Sequence, residues 1–314
     1  MRGYVCGRLA RLIPILLVIT FVCFGLMRLA GSDAVEQRME NTGTVLAPEV
    51  VERAKEELGL DKPFLTQYGV WLWGLLHGDM GTSYVSGREV LPTFLEKLPA
   101  TLGLTAVSLF LTVLISIPLG VVAAVRQNRW TDYLLRGMSF VGNSLPNFLV
   151  ALLLLYFFAV RWKVFPVMSR DAGLGGVVLP SLTLAIAMSA KYLRQVRAAV
   201  LEELSQDYVV GAAARGVPFG VTLVRSVLRG ALVPLVTLLA LSVGSLLGGT
   251  AIVESIFLWD GVGKLAVDAI QMRDYPVILA YVMWMSILYV VVNLVADLCC
   301  RAFNPRIRLG GERP

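Results

Sequence analysis

Few residues in this chain have the types and spacing that reactions require. No GxSxG or HExxH pattern occurs. The sole histidine, His77, stands beside Trp71 and Trp73 in an apolar stretch, where it reads as a rim residue rather than a catalytic base or metal ligand. Trp259-Asp260-Gly261-Val262-Gly263-Lys264-Leu265 looks like half of a phosphate-binding loop. Leu258 stands where the first glycine is needed, and Leu265 where serine or threonine should be. Cys6, Cys23, Cys299 and Cys300 all lie within or beside apolar runs and imply no disulfide framework. An enzyme is therefore not expected, and no metal or cofactor site belongs to this chain.

One polar block remains: Glu202-Glu203-Leu204-Ser205-Gln206-Asp207-Tyr208, then Val209 to Ala214, Arg215 and Gly216. Its middle is small and apolar, so another protein's backbone can approach closely. Gly216 permits a sharp reversal at a helix end. Such a helix can seat in a groove of a soluble partner. Equally, it can fold back on its own bundle.

The rest of the chain reads as membrane. Hydrophobic residues make up 57% and charged residues 16%, with a mean hydropathy of +0.73. A soluble domain carries about 25% charge. Six apolar runs predict six transmembrane helices: Leu12–Leu29, Ala100–Val125, Leu134–Val160, Val177–Val200, Ala231–Val253 and Val277–Cys300. The fold class is an all-α polytopic membrane protein. The basic start of the chain resembles a signal peptide, but Arg28 occupies the −3 position of the nearest cleavage candidate, so an uncleaved first span is expected. With the N-terminus cytoplasmic, inner segments hold 16 basic and 6 acidic residues, and outer segments 12 basic and 16 acidic. Both termini are then cytoplasmic. The net charge of +6 forms no single basic face, and nucleic acid is not a partner.

This topology divides the chain into residues 1–30 (N-terminus and first span), an extracytoplasmic insert over 31–99, and a core over 100–314 with a cytoplasmic loop at 201–229. Within the insert, Pro48 opens a helical pattern that Gly59 closes, and Phe64 to Leu76 reads as an interfacial helix.

Three further groups stand out. Asn143, Ser144, Pro146 and Asn147 are polar or helix-breaking within the third run, with Asn143 and Asn147 four apart. They form either a wall of a translocation path or interhelical hydrogen bonds. Gly244, Ser245, Gly248, Gly249 and Thr250 favour close helix packing, between subunits or within one. Glu254 lies near a membrane edge and is a candidate for the path, and Asp297 is spaced to pair with Arg301.

The order Asp207-Tyr208, Ala212-Ala213-Ala214-Arg215-Gly216 and Pro234 resembles the EAA loop of ABC-importer permeases, in the peptide/nickel permease subfamily. Val210 and Gly211 stand where glutamate and alanine are usual elsewhere. Leu58 to Pro63, Gly78 to Ser83, Leu98 to Leu102, Glu254 to Phe257, Trp259 to Gly263, Arg273 to Pro276 and Asn304 to Arg306 resemble other segments of that family, in order along the chain. The resemblance implies a type I ABC-importer permease fold in a bacterial inner membrane, with an external insert after helix one. It implies that Asp207, Tyr208, Ala212, Ala213, Ala214, Arg215 and Gly216 form a helix coupled to an ATPase. It also implies a heterodimer with a second permease, two cytoplasmic ATPases that use ATP and magnesium, and an extracytoplasmic binding protein. Transport would be inward, by alternating access. Gln67 to Trp73, with Leu76-His77, and Arg273 to Ile278 look most like nickel-transport permeases. That resemblance implies nickel or a nickel chelate as substrate, with di- or oligopeptides as the alternative. A channel or structural membrane subunit without an ATPase is the remaining class.

Overall fold

The computed structural model describes residues 2–29, 47–57, 61–169 and 173–303, together with Val35, Met39 and Gly59. In chain order the helices are α1 (Arg2–Leu29), α2 (Pro48–Glu57), α3 (Phe64–Leu76), α4 (Val90–Val125), α5 (Trp130–Ser144), α6 (Asn147–Leu154), α7 (Gly173–Leu204), α8 (Asp207–Ala214), α9 (Phe219–Thr222), α10 (Leu228–Ile256), α11 (Val262–Gln271) and α12 (Tyr275–Phe303). Wider π turns follow α6 at Leu155–Arg161 and α9 at Leu223–Val227. Among the described residues the only β pairing is one bridge, Thr82 to Glu89. The all-helical expectation holds.

Every apolar run of the sequence lies in a helix, but not every run is one straight helix. Three helices are long and apolar enough to cross a membrane alone, and five spans result if each of two bent pairs counts as one. Leu12–Leu26 of α1 is a shorter apolar stretch. The third run corrects the sequence reading. It breaks at Leu145 and Pro146, whose extended backbones (ψ 129° and 139°) turn α6 through 101° from α5. Proline disfavours helical backbone at the residue before it, and that is where α5 stops. Asn143 and Asn147 therefore sit on different helices, and the shared face inferred from their spacing does not exist.

The chain forms two compact units. One comprises residues 1–101 and 260–290, the other residues 102–259 and 291–314. In the first, α2 and α3 form where the sequence placed them, and Gly59 closes α2 with φ +64°. Phe21 and Phe24 of α1 meet Phe64 and Tyr68 of α3 edge to face at 5.3–5.6 Å, an arrangement that aromatic quadrupoles favour. The start of α12 is tied to the loop after α3: the Ser83 hydroxyl donates to Asp274 Oδ2 at 2.5 Å, and the Tyr84 amide to Oδ1 at 3.0 Å. Burial pushes the Asp274 carboxyl above its ordinary range, and these hydrogen bonds offset only part of that rise. The segment that imitates a phosphate loop is accounted for structurally. Gly261 starts α11, Asp260 pairs with Lys97, and Lys264 pairs with Asp268 one turn on, at 2.5 Å.

The second unit is built around α7. Its core at one end joins Leu104, Ala151, Leu179, Leu184, Leu246, Val253 and Phe257. At the other end, Ala124, Val196, Val200, Val227, Ala231 and Leu235 close together. Gly120 of α4 lies so close to α7 that a Cβ there would stand 2.6 Å from Val196, so only glycine admits this approach. On α5, the Ser139 hydroxyl donates to the Ala190 carbonyl, and Arg197 grips the wholly buried Asp132 with two bonds, Nε to Oδ1 at 2.7 Å and Nη2 to Oδ2 at 2.8 Å. On α10, Leu238 O accepts the Tyr192 hydroxyl at 2.5 Å. Polar bonds thus lock α7 to its neighbours where apolar contacts alone would let helices slide.

Candidate coupling site

The polar block singled out in the sequence becomes a complete small helix at the end of α7. Ser205 and Gln206 break α7, and Gln206 has an extended backbone (φ −75°, ψ 147°) just ahead of α8. Asp207 then places a carboxylate in the first turn, where the helix dipole favours it. The far end carries both hydrogen bonds of a Schellman closure: Gly216 N–H to Ala213 O at 2.9 Å and Val217 N–H to Ala212 O at 3.1 Å. Gly216 holds φ +73° to allow it. Pro218 follows and starts α9.

The two faces of α8 differ in kind. Ala212 is buried, and Val209, three residues earlier, packs on the cluster of Val196, Val200 and Val227. Val210, Ala213 and Ala214 lie at i, i+3 and i+4, so they share the opposite face, and all are exposed, Val210 to 67%. Arg215 and Gly216 continue the exposed edge. An apolar stripe of small residues that ends on an arginine, with its backbone anchored from behind, is a surface that a soluble groove can cover.

Glu203 fixes the tilt of this helix. The Tyr208 hydroxyl donates to Glu203 Oε2 at 2.7 Å across the break between α7 and α8. Burial, then the Glu203 carboxylate, push the Tyr208 phenol up to about 12. Its folded value lies above its ordinary one, so the stability from this bond is complete below pH about 10 and fades as pH rises through about 12. The contact is therefore fully made at neutral pH. The same carboxylate lies against Gly230 of α10, where any Cβ would collide with it. Gly230→Val must displace that carboxylate, the far end of a flexible side chain, so its expected cost is that of the Tyr208 hydrogen bond it breaks, about 1 kcal/mol. Tyr208→Phe, which removes the same exposed hydrogen bond, should cost about as much. Thermal melts of the two solubilised variants check that equality.

The other candidates fall in two settings. Asn143, Ser144, Pro146 and Asn147 are exposed at the α5–α6 corner, and the Ser144 hydroxyl is turned back onto the Phe140 carbonyl at 2.9 Å. Glu254, expected near a membrane edge, is wholly buried in α10, and its backbone carbonyl accepts the Trp259 amide at 2.8 Å. A Cβ at Gly248 or Gly249 would meet nothing within 4 Å, so close packing at these two glycines does not occur among the described residues. The Asp297–Arg301 pairing, Cys299, Cys300 and residues 304–306 involve side chains outside the described residues.

Glu203 and the Asp132–Arg197 fork were not legible as functional from the sequence. Tyr208 lies five residues past Glu203 across a helix break, so no helical spacing links them. Asp132 and Arg197 are 65 residues apart. The one available signal was an acidic residue among Arg126, Arg129 and Arg136 in an otherwise basic loop.

Residues 116–309 match the family described as the binding-protein-dependent transport system inner membrane component, and residues 1–105 match its N-terminal companion family. The chain belongs to this family of permeases. The permease is 37% identical over 308 residues to the glutathione transport system permease protein GsiC of Pectobacterium atrosepticum, which covers 98% of this chain and 99% of that one. It is 36% identical over the same span to GsiC of Escherichia coli K12. Among solved structures, an inward-facing methionine ABC transporter matches with a TM-score of 0.54 and 19% identity, over 68% of the permease and 97% of that chain. An amino acid ABC transporter crystallised with histidines matches with a TM-score of 0.50 and 21% identity, over 69% of the permease and 94% of that chain. These two matches establish the ABC-importer permease fold. The permease is thus a membrane component of a binding-protein-dependent importer and not an enzyme, and the channel or structural-subunit reading is set aside. The nickel assignment gains nothing from these relatives, since the two quoted carry a name for glutathione transport.

Proposed function

We propose that the permease carries a small peptide of the glutathione class inward, driven by ATP hydrolysis on partner subunits. End-to-end similarity to permeases named for glutathione transport supports this substrate over nickel. It favours the peptide alternative of the sequence reading over its first choice. The α8 stripe of Val210, Ala213 and Ala214, bounded by Asp207, Tyr208, Ala212, Arg215 and Gly216, is the surface an ATPase docks on. It works by passing partner motion into α7 through the Glu203–Tyr208 bond and the Val209–Ala212 face. A second permease completes the membrane pathway, to which Asn143, Ser144, Pro146, Asn147 and Glu254 contribute. An extracytoplasmic binding protein delivers the substrate, and the partner ATPases hold ATP and magnesium. The placement of Lys and Arg supports cytoplasmic termini and a cytoplasmic α8.

The test is uptake in cells lacking their own peptide and nickel systems, with the permease co-expressed with its neighbouring subunits. Labelled glutathione or dipeptide should accumulate, and excess unlabelled dipeptide should suppress it. Nickel uptake that survives excess dipeptide would overturn the peptide assignment and restore the metal.

A further inference from the structure

From the geometry of α5 we infer that the permease carries a site for one anionic phospholipid. One face of α5 is fastened to α7 through Asp132 and Ser139. Among the described residues of its own unit, the other face is exposed. There, Trp130, Tyr133, Leu134, Gly137, Met138 and Val141 line a groove of about 540 Å³, nearly all of it apolar. Their spacing (i, i+3, i+4, i+7, i+8, i+11) makes one continuous stripe along the helix. Gly137 leaves it open, because a Cβ there would meet nothing within 4 Å.

Two observations decide the occupant. The first is depth. Trp130 to Val141 rises about 16 Å at ~1.5 Å per residue, which is about half of the ~30 Å hydrocarbon core. The groove therefore suits one acyl chain of one leaflet, whereas a second spanning helix would need twice that length. At its inner end the chain turns away through the 101° bend. The second is charge. Arg126 and Arg129 are exposed just ahead of Trp130, and Arg136 lies over the Tyr133 ring at 5.3 Å. The acidic side chain of this segment, Asp132, is turned inward onto Arg197, with Arg136 3.9 Å from it, so the exposed Arg126 and Arg129 keep the rim positive. A phosphate at the mouth of the groove meets arginines, and Trp130 stands at the headgroup level that indoles favour. A zwitterionic lipid would fill the same groove but gain less at its rim.

Native mass spectrometry of the purified, delipidated importer complex tests this, with phosphatidylglycerol and phosphatidylcholine titrated separately. Phosphatidylglycerol should bind the wild-type complex more tightly. Each arginine near an anionic headgroup is worth roughly five-fold, so Arg126→Gln with Arg129→Gln should weaken phosphatidylglycerol about 25-fold and leave phosphatidylcholine nearly unchanged. Gly137→Leu, which fills the groove on an exposed helix face, should weaken both lipids. Equal affinity for the two lipids in the wild type would overturn the site, as would unchanged phosphatidylglycerol binding in both variants. Capture of a second membrane subunit by p-benzoylphenylalanine placed at position 138 would overturn it too, because the groove would then be an interface between proteins. None of these readouts depends on the transported substrate or on the ATPase contact.

Discussion

Gly216→Arg is expected to abolish ATP-driven uptake while the helical bundle still assembles. Two physical effects combine at this position. Gly216 holds φ +73°, a conformation that costs a side-chain-bearing residue about 1–2 kcal/mol. That cost alone is small against a total stability of roughly 5–15 kcal/mol, so the fold should survive. The larger effect lies outside the chain. A Cβ at Gly216 meets nothing within 4 Å, so the new guanidinium projects from the exposed edge of α8, where a partner would have to seat. Gly216→Asn separates the two effects, because asparagine tolerates the left-handed region better and is shorter. Uptake should be lost in the arginine variant and largely kept in the asparagine one, with the permease itself eluting as a folded species in both. Normal uptake by Gly216→Arg would remove α8 from the coupling route.

The second large effect concerns the buried fork between α5 and α7, and it is asymmetric. Asp132 is wholly buried, whereas the Arg197 side chain is 17% exposed. Arg197→Met strands a buried carboxylate with the Asn128 amide at 3.0 Å and a distant Arg136 at 3.9 Å as its remaining support. Losing one partner of such a pair costs about 3–5 kcal/mol, and Tm should fall by about 10 °C. Asp132→Asn leaves an arginine that can still reach water and should cost less than half as much. Combining Asp132→Asn with Arg197→Met should recover part of the loss, because no unpaired charge then remains inside. Equal destabilisation by the two single variants would show that the charge is not sealed from solvent.

Much of the fold was legible because the membrane restricts the choices. Backbone groups in hydrocarbon must bond within their own segment, so long apolar runs could only be helices. The helices between the first two apolar runs were equally plain: Pro48 and Gly59 punctuate α2, and Phe64 to Leu76 matches α3 end to end. The α5–α6 corner was missed because composition does not register direction. Leu145 and Pro146 dilute hydrophobicity very little, yet they end one helix and start another. At the candidate site the helix and its glycine stop were visible in local residue types. The parts that orient it were not, since Glu203, Tyr208 and Gly230 meet only after α7, α8 and α10 have packed.

The length of α7 has a mechanical consequence. Its 32 residues rise about 48 Å, some 18 Å more than hydrocarbon requires. The tight approach of Gly120 to Val196 and the grip of Asp132 on Arg197 act as a fulcrum near one end of this rod. From there, about 12 Å of helix leads to Leu204 and the small helix beyond, and about 35 Å leads back to Gly173. Pro180 interrupts the hydrogen bonding of α7, so the stiff part of the long arm is about 24 Å and the arms stand in a ratio of roughly one to two. If α8 is pushed by a partner, as proposed, a displacement of about 1 Å there would become about 2 Å at the Pro180 end of the bar.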